Sequence, residues 1–275
     1  MIHARFVARE KAFPLTRTYV MGILNVTPDS FSDGGQFLNP DAALSRAWEM
    51  EKEGADIIDI GGQSTRPGYT PVPPEEEWAR LREILPALRA GTSLALSVDT
   101  FYPRVAEKAL LAGADIINDV SGFGEEMLRA VAGSGCGCVV MFPQGGTEGD
   151  VCKAAQRFFQ SRAEAAGALG IGLERLCFDP GIGFGKTMEE NLRLITGVAE
   201  SRIPGAACLM AASRKRVTGA YCGNPPFPER LPATLAVHTA AILAGADMVR
   251  VHDVKEAVQA ARMADALKTA GGTNG

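Results

Sequence analysis

The stretch EGADIIDIGGQ, Glu53 to Gln63, recurs twice, as AGADIINDVSG from Ala112 to Gly122 and as AGADMVRVHDV from Ala244 to Val254. In each copy a helical pattern ends on a glycine (Gly54, Gly113, Gly245) suited to the left-handed position that closes a helix. An Ala-Asp step follows, then a short apolar run, then polar groups. That is the return from a helix to a strand of a βα unit, written three times.

Working outward, short apolar runs fall near residues 20–24, 57–60, 94–98, 115–117, 137–141, 176–178, 207–211 and 247–251, and helix-like sequence follows each. Their apolar residues are nearly continuous, as in parallel strands covered on both faces. Asn39-Pro40 supplies a cap and a first-turn proline ahead of Leu44, Ala47 and Trp48, which share a helical face. Glu75, Glu76 and Glu77 open a further helix, at its positive dipole end, with Trp78, Leu81, Leu85 and Leu88 as its apolar stripe. Eight such units predict an α/β fold, a (β/α)8 TIM barrel, with a doubly wound open sheet as the alternative. A Rossmann reading is weak, because no GxGxxG follows the first strand. No linker divides the chain, so a single domain is expected over 1–270, with a disordered tail at 271–275.

Composition narrows the function. The chain has 275 residues, 46% of them apolar, and a net charge of −4 from interspersed charges. It has no basic stripe for nucleic acid. The first twenty residues hold His3, Arg5, Arg9, Glu10, Lys11 and Arg17, which does not read as a signal peptide. No run approaches the ~18 apolar residues of a membrane span. The six cysteines form no CxxC pair, and Cys136 and Cys138 share a strand face as reduced core thiols. A soluble, cytoplasmic protein is expected.

At the carboxyl end of each proposed strand stands a polar group: Asn25, Gln63 to Arg66, Asp99, Asn118, Met141 to Gln144, Asp179, Ser213 to Lys215, and Arg250 with His252. In a barrel these ends converge on one mouth, where the chemistry of the fold is found. Any one of them could merely satisfy nearby backbone; as a set they read as a site.

Arg66, Arg250 and His252 suit phosphate oxygens, and Asn25 offers the hard oxygen that Mg²⁺ accepts. As an anion ligand Arg250 is expected to serve the anion alone; the bland alternative is a strand-end ion pair between Arg250 and Asp253. Asp99, Asn118 and Asp179 suit the donor-rich edge of a flat heterocycle, with a general acid/base pair as the other reading. A metal site fits them less well, because no His or Cys accompanies these carboxylates. His238 lies on the Leu231, Leu235, Ile242 helix face and reads as a packed core histidine. DPGIGFGKT, Asp179 to Thr187, invites a phosphate-loop reading, but GxxxxGK[ST] needs glycine where this chain has Pro180. A glycine-rich bend that lets Phe184 reach over the mouth is the expectation. The long polar segment after the first strand, NVTPDSFSDGG from Asn25 to Gly35, carries Phe31 and Asp33.

Taken together, NVTPDSFSDGG, GGQSTRPG, SVDT, IINDVSG, DPGIGFGK, SRKR and RVHDVKE resemble the dihydropteroate synthase family, in sequence order over roughly residues 18 to 262. The resemblance implies a dimeric (β/α)8 barrel of the pterin-binding kind. It implies condensation of 6-hydroxymethyl-7,8-dihydropterin diphosphate with p-aminobenzoate to give 7,8-dihydropteroate and pyrophosphate in folate synthesis, and inhibition by sulfonamides. By the same resemblance Asn25 meets Mg²⁺ on the diphosphate, with Arg66, Arg250 and His252 on that anion. Asp99, Asn118, Asp179 and Lys215 hold the pterin. Thr65, Pro67, Phe184 and Ser213 line the p-aminobenzoate pocket, beneath a mobile first loop that brings Phe31 and Asp33 and excludes water.

The chain departs from the family pattern in places. Phe142-Pro143 stands where His-Met is expected, Ala211-Ala212 where a glycine is common, and Gln63 where Glu is frequent. Two alternatives follow: a pterin-binding methyltransferase acting on a corrinoid protein, and a non-catalytic pterin-binding homologue, the latter motivated by Phe142-Pro143.

Overall fold

The aspartates of the three repeats do one job three times. The Asp56 carboxylate accepts the backbone N–H of Val20 at 2.9 Å, Asp115 that of Leu96 at 3.0 Å, and Asp247 that of Cys208 at 2.9 Å. Each donor residue returns the exchange through its carbonyl, which accepts the backbone N–H of the same aspartate. An arginine closes each triangle: Arg17 on Asp56 at 2.5 Å, Arg89 on Asp115 at 2.9 Å, Arg202 on Asp247 at 3.0 Å. The Ala-Asp step thus locks the start of one strand to the start of its neighbour, and satisfies a backbone donor that the sheet ladder leaves open.

The computed structural model describes residues 4–26, 40–63, 70–146 and 148–271. Among them β1 (Arg5–Ala8) and β2 (Lys11–Pro14) form an antiparallel hairpin. Then come β3 (Tyr19–Asn25), β4 (Ile57–Gly61), β5 (Ala95–Asp99), β6 (Ile116–Asp119), β7 (Gly137–Met141), β8 (Leu176–Asp179), β9 (Ala207–Met210) and β10 (Met248–Val251). These eight are parallel and close into a barrel, β10 pairing with both β3 and β9. The predicted strands agree with them to within one or two residues, and closure rules out the open sheet. Gly54, Gly113 and Gly245 have φ of 100°, 104° and 113°, as the left-handed closures require.

Helices fill the crossovers. α1 (Pro40–Glu53) follows β3, α2 (Pro74–Leu81) and α3 (Ile84–Gly91) follow β4, α4 (Pro103–Leu111) follows β5, and α5 (Glu125–Val131) follows β6. α6 (Val151–Ala168) follows β7, α7 (Met188–Thr196) and α8 (Val198–Ser201) follow β8, α9 (Arg216–Ala220) and α10 (Leu231–Leu243) follow β9, and α11 (Val254–Ala270) follows β10. The single helix expected from Glu75 through Leu88 is two. A continuous helix would need the Arg82 carbonyl to accept from residue 86, but Pro86 has no N–H and its ring would meet that carbonyl. Asn39 and the residues beyond Gly271, including most of the expected tail, lie outside the described residues.

Two apolar cores result. The larger lies between strands and helices. The smaller is the barrel interior, where Met21, Ile57, Ala95, Ile116, Val139, Cys177, Leu209 and Met248 meet Phe6, Ala8 and Phe13 of the hairpin. A Cβ on Gly137, the first residue of β7, would collide with the Phe6 ring, so the hairpin closes the floor of the barrel at the amino ends of the strands. The opposite end is left open to polar residues. His238 is buried, and its Nε2 accepts the Ala212 N–H at 3.2 Å; it is a packed histidine held down to about 3 by burial. All six cysteines are free thiols, five of them buried.

Candidate active site at the carboxyl ends of the strands

Register sets the site. Asn25 of β3 pairs across to Gly61 of β4, Gly61 to Asp99 of β5, and Asp99 to Asn118 of β6. Paired residues of parallel strands point to one side, so these side chains share one level of the mouth, two residues above Ile23, Asp59 and Ser97. Arg250 of β10 reaches across to them. Its Nε donates to Asp59 Oδ2 at 2.6 Å and its terminal nitrogen to Asp99 Oδ2 at 2.8 Å. Asn118 Nδ2 donates to the same Asp59 oxygen at 3.2 Å.

Arg250, expected with the anion ligands, is therefore bound to the acids expected on the heterocycle. The alternative strand-end pair with Asp253 does not form, because Asp253 accepts from Arg214 at 2.9 Å instead. Asp59 is fully buried, and sequence reading missed it. A carboxylate inside the apolar run DIIDIGG was the available signal, since a buried charge demands a partner. The second oxygens of Asp59 and Asp99 have no hydrogen-bond partner among the described residues. Burial pushes the Asp99 carboxyl up to about 7, against the pull of Arg250 and with help from nearby Asp59, Glu77 and Asp119.

Glu77 is the second residue the sequence reading misplaced. It sits on α2 one turn before Leu81, so it points inward rather than decorating the helix start, and it is fully buried. Its Oε2 accepts from Thr100 Oγ at 2.8 Å, directly after Asp99. Burial pushes it up to about 7.

Asp179 closes the cluster from β8. Its Oδ1 accepts the Gly181 N–H at 2.8 Å, and burial raises its pKa, opposed first by Lys215. The bend that follows is built on Gly181, Gly183 and Gly185, whose φ values of 70°, 86° and 62° no side chain takes easily. It carries a half-buried Phe184 to the mouth, and Lys215 Nζ lies 4.7 Å from that ring while donating to the Ile182 carbonyl at 2.7 Å. Burial brings Lys215 down to about 8.

Ser213 and His252, expected in different pockets, touch: Ser213 Oγ lies 2.9 Å from His252 Nδ1 and accepts the His252 backbone N–H at 3.2 Å. The two Ser213 contacts hold the imidazole in a fixed orientation on its own backbone. Phe227 packs edge-on against the imidazole, ring centres 5.3 Å apart. Phe142 turns away from the mouth, its buried ring packed on Phe158 and Phe159. Phe142 therefore belongs to the outer core rather than adding a side chain to the site. Ala211 and Ala212 are buried as well. Phe31, Asp33, Thr65, Arg66 and Pro67 lie outside the described residues.

The described mouth thus interleaves acceptors and cations, Arg250 bonded to Asp59 and Asp99 and Lys215 opposing the rise of Asp179. No cluster of three His, Cys, Asp or Glu side chains able to hold a metal occurs among the described residues. Comparison with known proteins gives a concordant result. The family model described as pterin binding enzyme matches residues 21–252. A dihydropteroate synthase from Synechocystis sp. is 42% identical over 261 residues, covering 91% of this chain and 90% of its own. The structure of Xanthomonas albilineans dihydropteroate synthase with 4-aminobenzoic acid superposes with a TM-score of 0.90 at 40% identity, over 97% of this chain and 98% of the other. That of Burkholderia cenocepacia dihydropteroate synthase complexed with 7,8-dihydropteroate gives 0.89 at 37% identity, over all of both chains.

Proposed function

Because the chain belongs to the dihydropteroate synthase family of pterin-binding enzymes, we propose that it condenses 6-hydroxymethyl-7,8-dihydropterin diphosphate with p-aminobenzoate. The products are 7,8-dihydropteroate, a folate precursor, and pyrophosphate. The observation that carries the reading is the joined constellation of Asp99, Asn118, Asp59 and Arg250 at one end of a closed barrel.

Asp99, Asn118 and Asp179 accept from the pterin ring N–H groups and amine, and Lys215 donates to the ring carbonyl. Arg250 and His252, with Arg66, take the diphosphate. The bond between the pterin methylene and the diphosphate oxygen breaks first. The cationic side chains stabilise the departing charge, and the conjugated pterin stabilises the cation that remains. The amine of p-aminobenzoate then attacks the methylene and loses a proton. Phe184 and Ser213, with Thr65 and Pro67, wall the amine pocket, while Phe31 and Asp33 complete it and keep water from capturing the cation.

Asn25 is a lone hard oxygen ligand at the level of Asp99, which fits a Mg²⁺ that takes its other ligands from diphosphate and water. When bound, that ion supplies charge neutralisation on the leaving group. Sulfonamides, as mimics of p-aminobenzoate, occupy the same amine pocket.

The working unit is proposed to be a homodimer. α10 carries no charged residue on any side, it packs along α11, and Leu243, Met263 and Leu267 of the pair are exposed. Such an apolar face suits a second copy of the chain. The six free thiols fit a reducing compartment, the cytoplasm.

The test is steady-state turnover with Mg²⁺, the pterin diphosphate and p-aminobenzoate. Dihydropteroate and pyrophosphate should appear in equal amounts, and only with both substrates present. Absence of turnover with tight pterin binding would favour a non-catalytic homologue instead.

A further inference from the structure

The glycine-rich bend after β8 carries a second lysine, to which the reaction as described gives no task. Lys186 Nζ donates to the Phe142 carbonyl at 2.9 Å and to the Phe184 carbonyl at 3.1 Å, and lies 4.7 Å from the centre of the Phe142 ring. Phe142 leaves β7 and Phe184 leaves the neighbouring β8, so one ammonium ties two adjacent strand exits together. Burial brings this ammonium down to about 8, with Asp179 the first charge opposing the fall.

The two segments meet backbone to backbone. A Cβ on Gly145 would collide with the Gly185 carbonyl, and one on Gly181 with the Phe142 carbonyl. Gly183 N donates to Asn191 Oδ1 at 2.6 Å, and Asn191 Nδ2 to the Thr187 carbonyl at 2.7 Å, which fixes the outer limb of the bend on α7. Lys215 holds its inner limb through Ile182 and lies under the Phe184 ring. Between these two supports the Phe184 backbone is tied on both sides, its N–H to the Gly181 carbonyl at 3.1 Å and its carbonyl to Lys186, and the Lys186 tie is the one that a side chain supplies. Removing the ammonium leaves two carbonyl dipoles facing one buried space without a donor.

We infer that Lys186 is a positioning residue for the aromatic amine: it holds the Phe184 carbonyl against Phe142, sets the Phe184 ring beside Lys215, and so shapes the p-aminobenzoate pocket without touching the pterin. The inference rests on the reaction proposed above.

Lys186→Met, checked for fold by its thermal melt, is the first variant. Its KM for p-aminobenzoate should rise about tenfold while its KM for the pterin diphosphate stays within about twofold. Because Lys186 acts through Phe184, the double variant with Phe184→Ala should be little worse than Phe184→Ala alone. Lys186→Arg keeps charge and donors on a longer arm; it should show the same selective rise to a smaller degree, and it carries the test should Lys186→Met fail to fold. A parallel rise in both KM values, or effects that multiply in the double variant, would overturn the inference. Failure of the wild-type protein to turn over the substrate pair would instead overturn the reaction itself.

Discussion

Arg250 Nε lies 2.6 Å from Asp59 Oδ2, a contact between the last strand of the barrel and its second strand, 191 residues earlier. Since the same guanidinium also holds Asp99, the cation proposed for the leaving group and the acids proposed for the heterocycle form one unit. A ligand at either place should therefore be felt at the other.

That unit changes what removal of Arg250 should do. As a ligand for the anion alone, Arg250→Ala would spare the bare pterin alcohol. With Asp59 and Asp99 left buried and unpaired, the cost should be about 3–5 kcal/mol, and Asp99 should take up a proton and lose its acceptor role. We predict that Arg250→Ala weakens both the alcohol and the diphosphate. Calorimetry showing full affinity for the alcohol would place Arg250 back on the anion alone.

Glu77 carries a pH signature. Its carboxyl is pushed from 4.5 up to about 7 in the fold. Between those values the folded chain holds a proton that the unfolded chain has lost, so this group favours the folded state least above pH 7 and costs nothing below 4.5. Glu77→Gln keeps an acceptor for Thr100 and removes the titration. Its urea midpoint relative to wild type should therefore be higher at pH 8 than at pH 5, by up to ~3 kcal/mol of stability. An offset equal at both pH values would show that Glu77 is ionised at no cost.

The hairpin floor can be tested apart from the chemistry. Phe6 is fully buried against the barrel interior, at the end remote from Asp99. Phe6→Ala should cost about 3–5 kcal/mol in denaturant unfolding, with kcat and KM unchanged where the protein remains folded. A loss under about 1 kcal/mol would mean that the hairpin is not part of the core.

Legibility followed the range of each interaction. The strands could be read because each is a nearly continuous apolar run, three of them introduced by a Gly-Ala-Asp step, and both signals are local. Asp99, Asn118 and Asp179 could be read because a strand end is a local position too. Asp59 stood out only as a carboxylate inside an apolar run; its partners Arg250 and Asn118 are 191 and 59 residues away, and only the register brings them together. The hairpin escaped because Arg5, Arg9, Glu10 and Lys11 make two four-residue strands look like a polar leader. Glu77 escaped because a buried acid and a dipole-facing acid look alike until packing shows which side of α2 is covered.

Order of binding follows from the proposed roles of Phe31 and Phe184. If the amine pocket is completed only when the anion is present, p-aminobenzoate or a sulfonamide should bind the bare protein poorly and bind well with pterin and pyrophosphate present. The coupling should be on the order of 1–3 kcal/mol and reciprocal. Phe31→Ala should remove most of it and leave pterin affinity nearly intact. Tight sulfonamide binding to the bare protein, indifferent to pyrophosphate and Mg²⁺, would contradict this order.

The central claim divides the mouth between a pterin held by Asp99, Asn118 and Asp179 and a leaving diphosphate held by Arg250 and His252. Calorimetry of the pterin alcohol and the pterin diphosphate on wild type, Asp179→Asn and His252→Ala tests it most directly. Asp179→Asn sets an amide N–H₂ against a ring N–H, so it should lose both ligands at unchanged fold. His252→Ala should keep the alcohol and lose about 1.5–3 kcal/mol of binding to the diphosphate. Near-normal affinity for the alcohol in Asp179→Asn, or equal loss of both ligands in His252→Ala, would contradict the division.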